Sequence, residues 1–377
     1  MEHKIAGPGP LLDEDGGLRE PGWSDSLVLS YDRAAIRAPS WRVKEWDYYC
    51  VLARDFGIAL TVSDNGYMGF VSATVLDFAA SVETTETVMP PLTLGRFRMP
   101  PSSEDCVVDV DEGGARLRFE ARGGERKLSF SWPDFGSKGA PRPPQAHVCL
   151  PLPPGDAPPT NKGRVAAGIG LEGEIRLSER PGRASMVIAT PFTRRRRCFY
   201  YNQKINCQDA EGSFRLGKRE FKLERGSAFA VLDWGRGVWP WSNSWLWGSA
   251  SGIVHQNDSA VGGESFGFNI GYGFGDTSAA SENMLFHEGK AYKIGRLSID
   301  FDDRDFMRPW RVVSEDSRLD LVLSPVLDRA SKTDLGVLAS IQHQVFGRWS
   351  GRAILDDGRE IRVKELQGFC EKVVNRW

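Results

Sequence analysis

The stretch best equipped for chemistry is LDWGRGVWPWSNSWLWGSASG, Leu232 to Gly252. A carboxylate, Asp233, and a guanidinium, Arg236, stand there among Trp234, Trp239, Trp241, Trp245 and Trp247, five of the chain's twelve tryptophans. Residues Ser227 to Asp233 alternate as a strand with Phe229, Val231 and Asp233 on one face, so the carboxylate continues an apolar surface. A carboxylate so placed needs a cation close by, and Arg236 is near enough in sequence to be it. A second strand, Ser244 to Ser251, puts Trp245, Trp247, Ser249 and Ser251 on one face and Leu246, Gly248 and Ala250 on the other. Two arrangements satisfy this pattern. One is a β core containing a structural ion pair. The other is an aromatic-walled pocket with Asp233 as acid, base or anchor.

In FGFNIGYGFGD, Phe266 to Asp276, Phe268, Ile270, Tyr272 and Phe274 share one strand face, and Gly267, Asn269, Gly271, Gly273 and Gly275 share the other. A face of glycines leaves room for a crossing backbone or for a ligand. Asn269 is its one polar side chain and a candidate ligand contact, as is Tyr272. Asp276 and Glu282 follow directly, and either could complete a two-carboxylate mechanism with Asp233. In TRRRRCFYYNQKINC, Tyr201 and Gln203 alternate with Tyr200, Asn202 and Lys204, so Tyr201 and Asn202 are candidate pocket residues from opposite faces. The arginine run beginning at Arg194 reads as a solvated strand end. A net charge of −2 and an isoelectric point near 6.3 argue against a nucleic-acid binder. His343, in the aromatic strand SIQHQVFGRW, is the histidine most suited to a site, although a structural role suits it as well. HExxH, HxH, CxxC and GxSxG are all absent, so no metal and no cofactor are expected.

Strands must position these groups. In ARLRFEARGGERKLSFSW two alternating arms meet at Gly123-Gly124, a hairpin signature. Similar units turn at Asn65-Gly66, Gly217-Lys218 and Asp357-Gly358. No long stretch has helical spacing with caps at both ends. The chain therefore reads as all-β, with antiparallel strands closed into sandwiches or barrels. The stretch from Gly136 to Lys162 is rich in proline, which suits a connection or a sheet edge. The expected division is an N-terminal extension over 1–24, a β domain over 25–190, and a second over 191–377 holding the main ligand cavity. The six cysteines are scattered, as reduced buried thiols would be, and a Cys198–Cys207 bridge stays open. No apolar run is long enough for a membrane span and no secretory signal opens the chain, so cytoplasm is the expected compartment. Nothing in the sequence bears on oligomeric state.

Longer motifs carry a resemblance. YYNQKINC (200–207), VLDWGRGVWPW and WLWGSASG (231–252), GFNIGYGFGDTSAASENMLF (267–286), LDRASKTDL (327–335) and HQVFGRWSG (343–351) look like the bacterial family named domain of unknown function 2804. The likeness covers nearly the whole chain. More remotely, the aspartate and tryptophan after a strand, the W-x-W strand and the RPW of Arg308 to Trp310 are similar to lipocalin-like proteins related to carotenoid hydratase. That resemblance implies two consecutive calycin-like barrels or half-barrels around apolar ligands. Asp233 and Trp234 are adjacent here, whereas that group separates the pair by several residues.

The expected function is binding of a small, largely apolar or amphipathic molecule. Its transformation would be cofactor-independent acid–base chemistry: hydration, isomerisation or cyclisation. Asp233 would be the acid, Arg236 its tuning partner, and Trp245 and Trp247 the walls. Two other readings fit the same residues. One is a carbohydrate-active enzyme using tryptophan platforms and paired carboxylates; the other is a non-catalytic lipid or small-molecule carrier.

Overall fold

The computed structural model describes residues 2–136, 169–179, 182–192, 195–255, 263–334 and 339–376. The proline-rich stretch after Gly136, and Arg194 of the arginine run, lie outside the described residues. Two antiparallel sheets carry the fold. The first follows a ten-strand path: Val82–Val88, Gly69–Asp77, Phe56–Asp64, Val43–Leu52, Phe229–Val238, Arg195–Leu216, Leu171–Ser178, Glu125–Trp132, Ala115–Arg122 and Val107–Glu112. It is a nearly closed barrel. Its two end strands approach where Gly113 lies against Val88 and where Arg96 pairs with Glu112. The second is a nine-strand half-barrel ordered Lys290–Lys293, Met284–His287, Glu264–Tyr272, Ser242–Val254, Glu360–Arg376, Ala339–Ile354, Leu319–Asp334, Trp310–Ser314 and Leu297–Asp300. Single 3-10 turns at Arg33–Ala35 and Ser40–Arg42 are the only helical turns among the described residues.

All four expected hairpins form, because glycines supply the positive φ that their turns require; Gly66 and Gly358 sit at +77° and +84°. The division between sheets differs from the expected 190/191 boundary. Arg195–Leu216, Arg219–Leu223 and Phe229–Val238 all pair within the first sheet, and the second begins at Ser242. The change-over is therefore the Trp239–Pro240–Trp241 link, where proline interrupts the ladder. The N-terminal residues touch both sheets. Gly22–Ser24 adds to the Met186–Phe192 strand, and Glu2 holds Ser281 and Lys293 of the other sheet.

Alternation sorts the side chains into three cores. Leu232 and Trp234 point into the barrel, with Phe119, Leu128 and Phe214. Phe268, Trp310 and Trp349 fill the half-barrel. Between the sheets lie Tyr48, Cys50, Val231, Trp247, Phe346 and Phe369. The long Arg195–Leu216 strand bends into this contact. Its register with Phe229–Val238 shifts between Ile205 and Gln208, and Cys207 takes φ +54°. The bulge turns Asn206 to Ser249 Oγ and the Phe268 carbonyl, and the Cys207 amide to Ser251 Oγ, at 2.8, 2.9 and 2.9 Å.

The glycine face of the Glu264–Tyr272 strand is where protein occupies the space. A Cβ on Gly267 would stand 2.4 Å from Cys207 Sγ and 2.6 Å from the Ala250 carbonyl oxygen. Gly273 ends the strand at φ +84°, so Phe274 leaves the face expected for it and packs against Phe192, Tyr200, Trp239 and Trp245. Gly267→Ala is expected to lower stability by about 1–3 kcal/mol, measured by urea unfolding, because neither the bulge nor the ladder carbonyl can retreat cheaply. An unchanged midpoint would mean that the inter-sheet contact is looser than this geometry.

Candidate functional site

The Arg195–Leu216 and Phe229–Val238 strands set Lys204 directly opposite Asp233 on the face that looks toward the second sheet. Lys204 Nζ lies 2.7 Å from Asp233 Oδ2 and 3.8 Å from the centroid of the Trp247 ring, and the lysine side chain is 3% exposed. A buried ammonium thus has a carboxylate on one side and the negative face of an indole on the other. Asn202 Nδ2 donates to Asp233 Oδ1 at 2.6 Å and to the Trp234 carbonyl. Its Oδ1 is buried and accepts from no described residue, and the same holds for Asn206 Oδ1.

The second sheet supplies two more acids. Trp245 Nε1 donates to Glu371 Oε1 at 2.7 Å, and Gln342 Nε2 donates to its Oε2. Trp247 Nε1 donates to Asn269 Oδ1 at 2.7 Å, and Asn269 Nδ2 donates to the Glu282 carbonyl. The Glu282 carboxyl lies over Gly271, whose missing side chain makes room for it. Burial pushes the Glu282 carboxyl above the usual glutamate range, with Lys204 pulling it down and Asp233 adding to the rise. Burial raises Glu371 as well, against the Trp245 hydrogen bond and the charges of Arg329 and Lys204. Tyr200, fully buried, is held as the phenol by desolvation first and then by Glu282, Asp233 and Glu371. Three carboxyls and one lysine therefore share an interior seam with aromatic walls. Among the described residues no group of three or more His, Cys, Asp or Glu side chains has the arrangement of a metal site.

The structure gathers Asp233, Glu282, Asn202, Asn269, Trp245 and Trp247 from the sequence candidates. It separates the others. Arg236 is not the partner of Asp233, because residues three apart on a strand point to opposite faces. It is buried inside the barrel, pairs with Asp47 at 3.1 Å, and donates to the Trp46 and Pro100 carbonyls. Trp234 and Tyr201 share that interior, edge to face at 5.7 Å. Asp276 instead caps its own turn, accepting from the Ser278 amide. Tyr272 is 59% exposed. His343 lies on the half-barrel side, 2.7 Å from Asp328 and stacked on Phe306. Trp239 belongs to the aromatic cluster beside Trp245, and Trp241 lies at the surface. Cys198 and Cys207 are both free thiols.

Lys204 and Glu371 escaped the sequence reading as site residues. The signal was present: Lys204 is the single charge in the amide-rich YYNQKINC, and Glu371, followed only by Lys372, interrupts the otherwise apolar GFCEKVV.

The chain belongs to the family described as domain of unknown function 2804, which matches residues 2–157 and 160–377. Among solved structures it is similar to a Nitrosomonas europaea protein provisionally assigned as AttH, at 11% identity and a TM-score of 0.48 over 91% of this chain and 96% of the other. It is also similar to kievitone hydratase from Nectria haematococca, at 9% identity and a TM-score of 0.45 over 93% and 96%. No curated protein matches the chain.

Two outcomes follow from the seam. Asp233→Asn should cost about 3–5 kcal/mol in chemical denaturation, because Lys204 is left as a buried charge without its carboxylate. Adding Lys204→Met should recover most of the loss, whereas adding Arg236→Met should not; rescue by the arginine change would refute the pairing. Glu282→Gln tests the other acid. Raising its folded-state value means that the fold favours the protonated carboxyl, so that contribution is complete in acid and disappears as pH rises through the raised value. The melting temperature of Glu282→Gln should match the parent near about pH 4 and exceed it near about pH 8. Equal melting temperatures at both would show that Glu282 ionises without penalty.

Proposed function

We propose that the seam binds a small, largely apolar molecule and transforms it by acid–base chemistry without a cofactor, as a hydratase, isomerase or cyclase does. The observation that carries this reading is the placement of a buried acid, Glu282, within electrostatic reach of the fixed Lys204–Asp233 pair, beside Trp247. General acid–base catalysis needs a donor that keeps its proton near neutral pH and an acceptor already oriented. At Glu282 burial favours the protonated form that a donor needs. Lys204 and Asn202 orient the second at Asp233, whose side chain retains 12% exposure. In hydration, Glu282 would protonate a polarised double bond while Asp233 takes a proton from the attacking water. Lys204 would stabilise negative charge developing on a carbonyl or phenol oxygen. The vacant acceptors Asn202 Oδ1 and Asn206 Oδ1 suit a ligand hydroxyl or that water. The likeness to kievitone hydratase is one of fold and lends no weight to this chemistry.

The burial of all three carboxyls favours this reading over carbohydrate chemistry, which calls for an open groove along a polar chain. The test starts from protein purified from its own host. Native mass spectrometry identifies a retained ligand, which is then incubated with fresh protein in 18O-labelled water and in D2O. The parent should add labelled water or exchange a carbon-bound hydrogen, and Glu282→Gln should bind the ligand but leave it unchanged. A ligand returned unaltered by the parent would make the protein a carrier and end the catalytic reading.

A further inference from the structure

A second cleft lies outside the seam, where the inter-sheet link crosses the barrel mouth. It measures about 720 Å³ and is lined by the Trp239–Pro240–Trp241 link, by Trp41 and Arg42, by Lys44 and Tyr67, and by Pro39, Phe192 and Cys198. Trp41 and Trp241 are 50% and 53% exposed, a large apolar area for a surface to leave uncovered. Among the described residues no acidic side chain lines the cleft, while two cations do. Arg42 donates through one nitrogen to the Trp239 carbonyl at 3.0 Å and approaches Cys198 Sγ at 3.5 Å. Lys44 donates to the Asn65 carbonyl at 2.8 Å and lies 4.2 Å from the Tyr67 ring centroid. Each cation therefore keeps N–H groups beyond those used by the fold.

We propose that this cleft is a binding site for an amphipathic monocarboxylate, with its apolar body between Trp41 and Trp241 and its carboxylate on Arg42 and Lys44. The volume falls in the range of small-molecule sites, and aromatic walls around a few convergent polar groups are what such sites present. One guanidinium with spare donors and one ammonium suit a two-oxygen, singly charged head. The site is separate from the acid–base reading of the seam and does not depend on it.

Lys44 makes the proposal testable in a way that a merely structural lysine would not. Burial first, and then the charge of Arg42, lower its amine to about 7, against the pull of Asp64. Tyr67 is the other titratable group that faces it, its phenol raised by burial. A carboxylate arriving beside Lys44 favours the ammonium, so binding above neutral pH should take up a proton. Affinity should be greatest below about pH 7 and fall as pH rises past it, by at most tenfold per unit for one linked proton.

The experiment uses the full chain and two matched probes, decanoate and decanol, followed by tryptophan fluorescence and by calorimetry in two buffers of different ionisation enthalpy at about pH 8. Decanoate is expected to bind saturably, at least about tenfold tighter than decanol, with net proton uptake. Trp241→Ala, at an exposed position, should weaken it. Lys44→Met should abolish both the preference for decanoate and the proton uptake, and Glu282→Gln should alter neither. The proposal is overturned if decanoate does not saturate, if decanol binds equally well, or if Trp241→Ala retains the parent affinity. Should Lys44→Met fail to fold, the buffer comparison on the parent decides: no proton uptake refutes the role of Lys44.

Discussion

A lysine ammonium in an all-β interior is the constraint on which the rest of this protein turns. Lys204 is almost wholly buried, and an unpaired charge there would be far more costly than any single contact could offset. Asp233 answers it across the barrel's own ladder, and Trp247 answers it from the half-barrel. Neither sheet alone completes the site. The Asp233 face of the barrel would present a bare ion pair, and the Trp247 face of the half-barrel would present exposed indole. Joining the two satisfies both, so packing and electrostatics select the same docking of the sheets.

That docking depends on a backbone irregularity. A regular 22-residue strand would carry its side chains straight past the half-barrel. The bulge at 205–208 lets Asn206 and the Cys207 amide bond to Ser249, Ser251 and the Phe268 carbonyl instead. The small residues Gly267 and Gly271 on the facing strand accept Cys207 and the Glu282 carboxyl into spaces no larger residue would leave. The seam is thereby held by hydrogen bonds at one end and charges at the other. Burial, first of all, and then the nearby charge of Asp233 push Glu282 and Glu371 toward their neutral forms, against the pull of Lys204.

The aromatic residues link the seam to the surface. Trp245, bonded to Glu371, meets Trp239 and Phe274; Trp239 in turn meets Trp46 and walls the outer cleft. The opening tryptophan cluster is thus neither only core nor only a binding wall. Trp234 is core, Trp245 and Trp247 hold charged groups, Trp239 stands between two compartments, and Trp241 faces solvent.

Alternation and turn chemistry were enough to read all-β architecture, the four hairpins, and the grouping of Phe229, Val231 and Asp233 on one face, because these depend on residues adjacent in sequence. The same local rules already separate Asp233 from Arg236, since an offset of three places two residues on opposite faces of a strand. Proximity in sequence was the misleading guide there. What no local rule contained was strand order. Lys204 stands twenty-nine positions before Asp233 (233 minus 204), and Glu371 lies at the far end of the chain. Only the pairing of Arg195–Leu216 with Phe229–Val238, and of Ser242–Val254 with Glu360–Arg376, brings them together. The sheet boundary was hidden for the same reason: proline content in the sequence suggests a connection, but not which sheet the following strands rejoin. The sequence by itself determined which residues alternate and where the chain turns; the tertiary structure alone decided which charges meet, because burial and ion pairing are properties of strands that come together from distant parts of the chain.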